Sequence, residues 1–207
     1  GYKGFRENRF YSVKWINVKN SLQRKRKIWD QLSNTRRNQV NKAKRKGVYI
    51  EELNTVEELS TIYDSIDKNL HWKFSHRFPP YTYISNFFHS FIEQGKGKFF
   101  ITKYQDKVIG GIIIGLHNNK NAYSLYYWGK TQTYKNLYPN IYTIWYAMTY
   151  AEENGYKYFD FMDCGYLHEK AGKPRFILQF GGKQHATRRW YKFNWNWIKW
   201  LASKFYE

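Results

Sequence analysis

One stretch, Tyr126 to Gly165, constrains the fold of this chain most, because it predicts a strand, a polar loop, one long helix and a second strand in that order. Pro139 suits the first turn of the helix, where a missing N–H costs nothing, and Gly155 suits its end. Apolar residues recur on one helical face at Ile141, Ile144, Trp145, Met148 and Ala151. Such a unit predicts a right-handed βαβ crossover, and its strand-to-helix loop is the usual place for a ligand.

The composition predicts a folded chain with an anionic partner. Hydrophobic residues make up 42% of the 207 residues and aromatic residues 21%, which excludes a disordered protein. The formal net charge of +19 favours nucleic acid, a phosphorylated ligand or an anionic membrane surface as the partner. An AT-rich genome, which inflates Lys, Asn, Tyr and Ile, is an alternative source of part of this charge.

Cys164 is the only cysteine, so neither a disulfide framework nor a cysteine-based zinc site can form within one chain. This usage is typical of a reducing, cytoplasmic compartment, and we expect no metal. No run approaches the roughly 20 apolar residues of a membrane span, and no signal peptide is evident at Gly1–Phe10.

The rest of the chain predicts antiparallel hairpins before the crossover, with the order β, α, α, β, β, β, α, β, short α, β. The Gly110-Gly111 pair marks a bulge or a close backbone approach within a strand. Strands are predicted over Tyr11–Val18, Val48–Leu53, Phe99–Tyr104, Val108–Leu116, Ala122–Trp128, Tyr158–Met162 and His185–Phe193. Helices are predicted over Leu22–Lys46, after a cap at Asn54-Thr55, and over Ile84–Gln94, Arg175–Phe180 and Trp195–Phe205.

The first predicted helix is heavily basic, and the strand before it has no partner nearby in the sequence. We interpret the basic cluster as a phosphate or tRNA contact surface, with a solvated helix face as an equal alternative. The cluster consists of Arg36, Arg37, Lys42, Lys44, Arg45 and Lys46.

Three motifs carry a resemblance to a known family. They are RRNQVNKAKRKGV (Arg36–Val48), the strand–loop–helix–strand pattern of Tyr126–Phe161 with its YKNLYPN loop, and RFILQFGG (Arg175–Gly182). With the element order, they resemble the GNAT acyltransferase fold, and within it the second GNAT-like half of the Fem-type peptidoglycan-bridge aminoacyltransferases. The resemblance implies an α+β fold with a mixed, mostly antiparallel sheet flanked by helices.

The resemblance also implies a domain organisation and a reaction. Residues 1–46 are expected to be a remnant of, or a link to, an upstream GNAT-like half, and residues 47–207 to be the transferase domain. The implied donor is aminoacyl-tRNA, the acceptor is a peptidoglycan precursor, and the product is a new amide bond made without a cofactor. The acceptor site is expected to lie largely on the upstream half.

The chain departs from the family pattern at two places, and its strand-to-helix loop differs from that of acetyl-CoA-binding GNAT enzymes. Ile177 stands where the family often has a Lys with a transition-state role, for which Arg175 or Lys173 could substitute. The sequence FDFMDCG adds a second carboxylate, Asp163. The loop Thr131–Asn140 contains no Gly, which argues against a pyrophosphate cradle for coenzyme A.

Amide formation from an activated ester needs a deprotonated amine and a stabilised oxyanion. The candidate catalytic residues are Asp160 and Asp163, as general bases near a strand end, and Arg175. A structural cap or turn carboxylate is the alternative for Asp160. The candidate substrate-binding residues are Arg36, Arg37, Lys73, Arg77, Tyr126, Trp128, Lys130, Tyr134, Lys135, Tyr138, Asn140, Phe176 and Gln179.

Three hypotheses for function follow. The first is an aminoacyltransferase acting on a cell-wall precursor, with peripheral contact to an anionic membrane surface. The second is an N-acyltransferase that uses acetyl-CoA or another acyl-CoA. The third is a non-catalytic nucleic-acid-binding module, suggested by the charge and the interleaved aromatic residues.

Overall fold

The structure is a computed structural model that describes residues 6–7, 16–22, 27–70, 79–162, 164, 172–187, 190–191, 195, 197–198 and 200. Its strands are β1 Arg6–Glu7, β2 Ile16–Ser21, β3 Tyr49–Leu53, β4 Gly97–Tyr104, β5 Lys107–His117, β6 Asn121–Gly129, β7 Tyr158–Phe161, β8 Lys183–Ala186 and β9 Trp190–Tyr191. Its α-helices are α1 Ile28–Gln31, α2 Asn34–Arg45, α3 Val56–Leu70, α4 Tyr81–Phe87, α5 Pro139–Glu153 and α6 Lys173–Leu178. A π-helix, Phe88–Ile92, continues α4, and a 3-10 turn, Lys135–Leu137, precedes α5.

A mixed sheet of seven strands, in the order β3-β4-β5-β6-β7-β2-β8, forms the centre of the fold. Neighbouring strands are antiparallel except β6 and β7, which run parallel and are joined by α5. Strands β1 and β9 form a separate antiparallel pair. The predicted mixed, mostly antiparallel sheet with one helical crossover is therefore confirmed.

The sheet buries both faces against helices, because alternate residues of its central strands are apolar on both sides. Ile112 and Ile114 of β5 pack with α1, α2, α5 and α6 on what we call the α5 face. Ile113, between them, packs with α3, α4 and the π-helix on what we call the α3 face. The predicted apolar stripe of α5 is confirmed, since Ile144, Met148 and the other aliphatic members are buried, with Trp145 half-buried against them.

The basic segment forms two helices where the sequence predicted one. α1 ends at Gln31, the next residue Leu32 has an extended backbone, and Ser33 then caps α2 by accepting a hydrogen bond from the Arg36 N–H at 3.3 Å. The cap satisfies one of the N–H groups that a helix start leaves unpaired. The prediction of one continuous helix over Leu22–Lys46 is therefore wrong.

The early strand lies inside the main sheet. β2 pairs with β7 on one side and β8 on the other, so that Val18 faces both Phe161 and Gln184. The described strand runs past the predicted end at Val18 to Ser21, and the first five residues of the predicted Tyr11–Val18 are outside the described part. This pairing makes residues 16–21 part of the same sheet as β7 and β8. The predicted division of the chain into residues 1–46 and 47–207 stays a prediction.

Other boundaries differ at the ends of elements. The helix predicted to start at Ile84 starts one turn earlier, after Pro80, and closes as a π-helix. The last predicted strand, His185–Phe193, is two short strands, β8 and β9. The predicted terminal helix Trp195–Phe205 lies mostly outside the described residues.

The Gly110-Gly111 pair marks both a bulge and a close approach, as predicted. Opposite β4, the register passes from Gly110 to Val108, so that Ile109 has no partner. A Cβ at Gly111 would lie 2.2 Å from Cη2 of Trp128, whose ring covers the glycine. Within the described ranges, no helix is long and apolar enough to span a membrane.

Candidate functional site

The parallel strands β6 and β7 separate at the end of their pairing. They pair over four residues, the last being Ser124 opposite Phe161. β6 runs on to Gly129, and beyond Ser124 it pairs with β5 alone among the described strands. Residues 125–129 therefore border a gap that we call the β6–β7 cleft. A cleft at the carboxyl ends of parallel strands is the usual ligand position in such sheets.

A bulge at Leu125 begins this separation. Ser124 faces Ile114 of β5 and Tyr126 faces Ile113, so Leu125 is an extra residue in the register. A bulge bends its strand and increases the local twist, which turns β6 away from β7.

Phe176 of α6 covers the cleft on the α5 face. Its ring stacks on Tyr127 of β6 with centroids 6.4 Å apart and an interplanar angle of 14°. Burial raises the pKa of Tyr127 to about 12, with a smaller contribution from the charge of Cys164. Tyr127 is therefore protonated at neutral pH, and its phenol can donate a hydrogen bond. The buried Cys164 thiol donates to the Phe161 carbonyl at 3.0 Å.

Arg36 of α2 lies beneath Phe176. Its guanidinium carbon is 4.4 Å from the centroid of the Phe176 ring and 5.2 Å from that of Phe180. Nη1 donates to Oε1 of Gln39 at 2.8 Å, and Nη2 donates to the Phe176 carbonyl at 3.3 Å. Burial lowers the pKa of Arg36 to about 10, so the side chain keeps its charge at neutral pH. Arg36, a predicted substrate-binding residue, therefore packs against Phe176 and helps to hold α6 in place.

Asp160 lies one residue before the end of β7, on the face opposite to Phe159 and Phe161. Its cross-strand neighbours are Tyr123 of β6 and Lys19 of β2.

Burial raises the pKa of the Asp160 carboxyl, while the charges of Lys19 and His185 and a hydrogen bond from Asn17 act in the opposite direction. Asp160 Oδ1 is buried without a hydrogen-bond partner in the described protein. A half-buried carboxylate beside the cleft, with an elevated pKa, can accept a proton from an amine.

The loop between β6 and α5 carries four of the predicted binding residues. The half-buried Lys130 has its pKa lowered by burial. Tyr134 packs edge-on against Tyr104, with centroids 6.4 Å apart. Tyr138 adopts a left-handed backbone at φ 50° just before α5, and Lys42 of α2 lies 5.6 Å from its ring centroid. The fourth, Lys135, is exposed.

Backbone N–H groups of this loop donate within the protein. The Lys130 N–H donates to the Ile109 carbonyl at 2.8 Å, and the N–H groups of Thr131, Tyr134 and Leu137 donate to carbonyls of the loop itself. Groups already paired in this way are not available to a bound pyrophosphate. The paired loop agrees with the absence of Gly between Thr131 and Asn140.

The remaining predicted residues are dispersed. Tyr126 and Trp128 pack on the α3 face, where Trp128 is buried and Tyr126 has its pKa raised by burial and then by Tyr83. Arg175 is exposed, and Arg37 donates to Oδ1 of Asn34 on its own helix.

Asn140 contacts the end of β6, and Gln179 is joined to the N-cap of α2. The Asn140 Oδ1 atom occupies the space that a Cβ of Gly129 would fill. The Gln179 carbonyl accepts from the Ser33 N–H at 3.0 Å. Ile177, which stands at the position of the family Lys, is fully buried and carries no polar group. Asp163, Lys73 and Arg77 lie outside the described residues, and the functional roles of all these side chains stay predictions.

Sequence reasoning missed Tyr127 and the polar neighbours of Asp160. Tyr127 is one of 20 tyrosines, and only its place in the strand alternation distinguishes it. Asn17, Lys19 and His185 come from strands whose partners the sequence does not reveal. In the part of the chain that the structure describes, no group of three His, Cys, Asp or Glu residues could hold a metal ion.

Comparison with protein-family models finds a match to the acetyltransferase (GNAT) domain over residues 31–171. The match spans α2 to the segment after β7 and includes the β6–β7 cleft, α5 and Asp160. No curated protein sequence matches the chain.

Solved structures with the same fold share little sequence with the chain. FemX aligns with a TM-score of 0.74 at 13% identity, over 96% of this chain and 68% of FemX. The C-terminal domain (DUF2156) of an Agrobacterium fabrum protein assigned as a lysylphosphatidylglycerol synthetase aligns with a TM-score of 0.62 at 14% identity, over 98% of this chain and 66% of that one. L-PGS from Bacillus licheniformis aligns with a TM-score of 0.61 at 13% identity, over 98% of this chain and 67% of that one. These likenesses establish the fold, and the chain spans about two thirds of each of these structures.

Proposed function

The chain belongs to the acetyltransferase (GNAT) domain family and is an acyltransferase, and we propose that it transfers an aminoacyl group from aminoacyl-tRNA to an amine of a peptidoglycan precursor. Membership of this family confirms the predicted GNAT-like fold and acyltransferase class, and it disagrees with the hypothesis of a non-catalytic module. The three Fem-type motifs and the structural likeness to FemX support the aminoacyl donor and the cell-wall acceptor. We also propose a cytoplasmic location, which the single cysteine of the chain favours.

The observation that carries this proposal is the β6–β7 cleft beside Asp160. β6 pairs with β7 only as far as Ser124, and from Tyr126 onward its pairing is with β5. The oxyanion that forms from the ester carbonyl needs a hydrogen-bond donor in a site with little water. The Tyr127 phenol, protonated at neutral pH, borders this stretch of β6 on the α5 face, whereas Asp160 lies on the other face of the sheet.

Asp160 is the proposed general base. The acceptor amine nitrogen attacks the ester carbonyl carbon, and its proton passes to the Asp160 carboxylate. The tetrahedral intermediate then collapses, the bond from carbonyl carbon to ribose oxygen breaks, and the proton passes to that oxygen. The products are an amide and a tRNA with a free ribose hydroxyl, and Asp160 is again a carboxylate. General-base catalysis of this kind contributes roughly 10²–10⁴-fold.

Cations beside the cleft suit the phosphates of a tRNA end. Lys130 and Lys135 lie on the loop after β6, and Lys42 approaches it from α2. The net charge of +19 attracts a polyanion from a distance and makes its binding dependent on salt. A Lys side chain carries its charge on a flexible stem, so these residues supply the attraction without a defined geometry.

An acyl-CoA donor is the second candidate, because the family model is that of acetyltransferases. The internal pairing of the loop N–H groups at Thr131, Tyr134 and Leu137 counts against a pyrophosphate cradle. We therefore propose that the reaction needs no cofactor.

The decisive experiment compares the two donors on the same protein. The full-length protein is incubated with a muropeptide precursor and either charged tRNA carrying a radiolabelled amino acid or acetyl-CoA with a thiol reagent. We expect label in the muropeptide with tRNA and no thiol release with acetyl-CoA. The Asp160→Asn variant should fold like the wild type but lose the transfer activity. Thiol release that depends on an amine acceptor, without transfer from tRNA, would establish the acyl-CoA alternative.

A further inference from the structure

Three tryptophans near the end of the chain are exposed together. Trp195, Trp197 and Trp200 expose 63%, 62% and 60% of their surfaces. The rings of Trp195 and Trp197 stack with centroids 6.4 Å apart and an interplanar angle of 11°. The backbone at Trp197 and Trp200 is helical, and a spacing of three residues puts both on one side of a turn. We call these three residues the tryptophan surface.

An exposed group of large aromatic rings is unusual for a soluble surface. Contiguous exposed apolar patches of a few hundred Å² or more mark interaction sites. Elsewhere in the described chain the large exposed apolar residues, Tyr83, Met162 and Leu178, belong to three different elements or their ends. The tryptophan surface is therefore a local feature rather than a general property of this aromatic-rich protein.

The segment that carries the tryptophan surface is strongly basic. Residues 183–207 contain six Lys or Arg residues and one acidic residue, Glu207, which gives this segment a formal charge of +5. Basic residues interleaved with Trp are typical of segments that lie in the interface of an anionic membrane.

We propose that the tryptophan surface docks the protein on the interface of a bilayer containing anionic lipid. Indole rings favour the headgroup region, because their body is apolar and their N–H can donate a hydrogen bond. The neighbouring cations are attracted to the negative surface potential of the lipid. The proposal is independent of the donor and acceptor proposed above, since it uses none of the residues assigned to the β6–β7 cleft.

A nucleic acid is the competing partner for aromatic and basic residues. Single-stranded nucleic acid binds by stacking its bases on separate aromatic faces. Trp195 and Trp197 instead stack on each other, and their separation of 6.4 Å is that of direct contact, so no base fits between them. Ile198, which lies between Trp197 and Trp200 in the helical segment, adds apolar surface but no stacking face. These features favour the membrane.

The test is sedimentation of the full-length protein with two kinds of vesicle, phosphatidylcholine alone and phosphatidylcholine mixed with phosphatidylglycerol. We expect binding to the mixed vesicles, with a blue shift of the Trp emission, and weaker binding at high salt because salt screens the attraction. The double variant Trp197→Ala/Trp200→Ala should bind the mixed vesicles roughly tenfold or more weakly, because it removes two rings from the interface. Tyr83→Ala removes an aromatic ring that is 52% exposed elsewhere and should bind like the wild type.

Several outcomes would overturn the proposal. If the wild type and the double variant melt at the same temperature and bind the mixed vesicles equally, the tryptophan surface does not contact the membrane. No binding to the anionic vesicles would also overturn the proposal. A loss of RNA binding, or of self-association by analytical ultracentrifugation, in the double variant while vesicle binding stays constant would assign the surface to one of those partners.

Discussion

The guanidinium carbon of Arg36 lies 4.4 Å from the centroid of the Phe176 ring, and the guanidinium donates a hydrogen bond to the Phe176 carbonyl. Among the described residues, none of its contacts is with a carboxylate, although the side chain is buried. The charge is instead balanced by two aromatic faces, an amide oxygen and a carbonyl oxygen. Because Phe176 also stacks on Tyr127, Arg36 connects α2 through α6 to the strand that borders the cleft.

Replacing Arg36 with Ala should loosen α6. The change leaves a cavity under Phe176 and removes the donor to a carbonyl, so we expect a loss of about 2–4 kcal/mol of unfolding free energy. Arg37, the next residue, donates to Asn34 on its own helix, and Arg37→Ala should cost less than about 0.5 kcal/mol. Urea titration of both variants measures the difference. Similar losses in the two would show that Arg36 acts only as a helix residue.

The contact between Gly111 and Trp128 predicts a second pair of variants. A Cβ at Gly111 would lie 2.2 Å and 2.3 Å from atoms of the Trp128 ring, which is buried and cannot swing into solvent. Gly111→Ala should therefore cost about 1–3 kcal/mol through forced repacking. At Gly115, on the same strand, the nearest atoms are 3.4 Å away, and Gly115→Ala should change stability by less than about 1 kcal/mol.

Chemical denaturation with matched m-values distinguishes the two glycines. If Gly111→Ala kept the wild-type midpoint, the close approach of the Trp128 ring would not constrain the strand. A change in the near-ultraviolet circular dichroism of Gly111→Ala alone would report the displaced indole.

The crossover was predictable from local signals, because Pro139 and Gly155 bound a helix whose apolar residues share one face. The position of β2 was not. Its partners, β7 and β8, lie more than a hundred residues later, and their pairing depends on packing that no local pattern encodes. The break at Ser33 was visible as a cap residue, but the run of basic residues around it suggested one continuous helix.

The candidate site divides in the same way. Asp160 was predictable, because the alternation of Phe159 and Phe161 puts a polar residue on the other face near a strand end. The charges that act on it, Lys19 and His185, come from β2 and β8 and required the sheet order. Electrostatic surroundings of this kind depend on tertiary neighbours, so sequence reasoning identifies the carboxylate but not what sets its pKa.

The start of α5 is tied to β4 by two buried threonines, which predict an asymmetric double-mutant cycle. Thr143 donates from Oγ1 to the Pro139 carbonyl at 2.7 Å, so the Thr102 hydroxyl donates to Thr143 Oγ1. Thr143→Val strands the Thr102 hydroxyl in the core and should cost about 1–3 kcal/mol, whereas Thr102→Val removes a donor and should cost about 0.5–1.5 kcal/mol.

The double variant tests that account of the threonine pair. Thr102→Val/Thr143→Val leaves no stranded hydroxyl, so its loss should be smaller than the sum of the two single losses, with a coupling of about 0.5–3 kcal/mol. Thermal unfolding of all four proteins measures the cycle. Additive losses would show that the two hydroxyls do not depend on each other.

Asp160→Asn should reduce activity and raise stability at neutral pH. If Asp160 takes the amine proton, activity of the wild type should rise with pH through the elevated pKa of Asp160, and the amide variant should lose roughly 10²–10⁴-fold in kcat. Because burial raises the folded-state pKa of this carboxyl, the folded protein favours the protonated form. The wild type therefore loses stability as pH rises from the unfolded-state pKa through the folded-state pKa.

The gain in unfolding free energy of Asp160→Asn over the wild type should accordingly be small in acid and grow to a constant value above the folded-state pKa. The reason is that an amide does not ionise, so burial does not destabilise it as it does the carboxylate. Melting temperatures of the wild type and the variant across the acidic to neutral range measure this difference. A gain that is independent of pH would show that the ionised carboxylate is not penalised. A variant that melts like the wild type at every pH but has lost transfer would assign Asp160 to the reaction and contradict the elevated pKa. Full activity in a folded Asp160→Asn protein would remove Asp160 from the proposed mechanism.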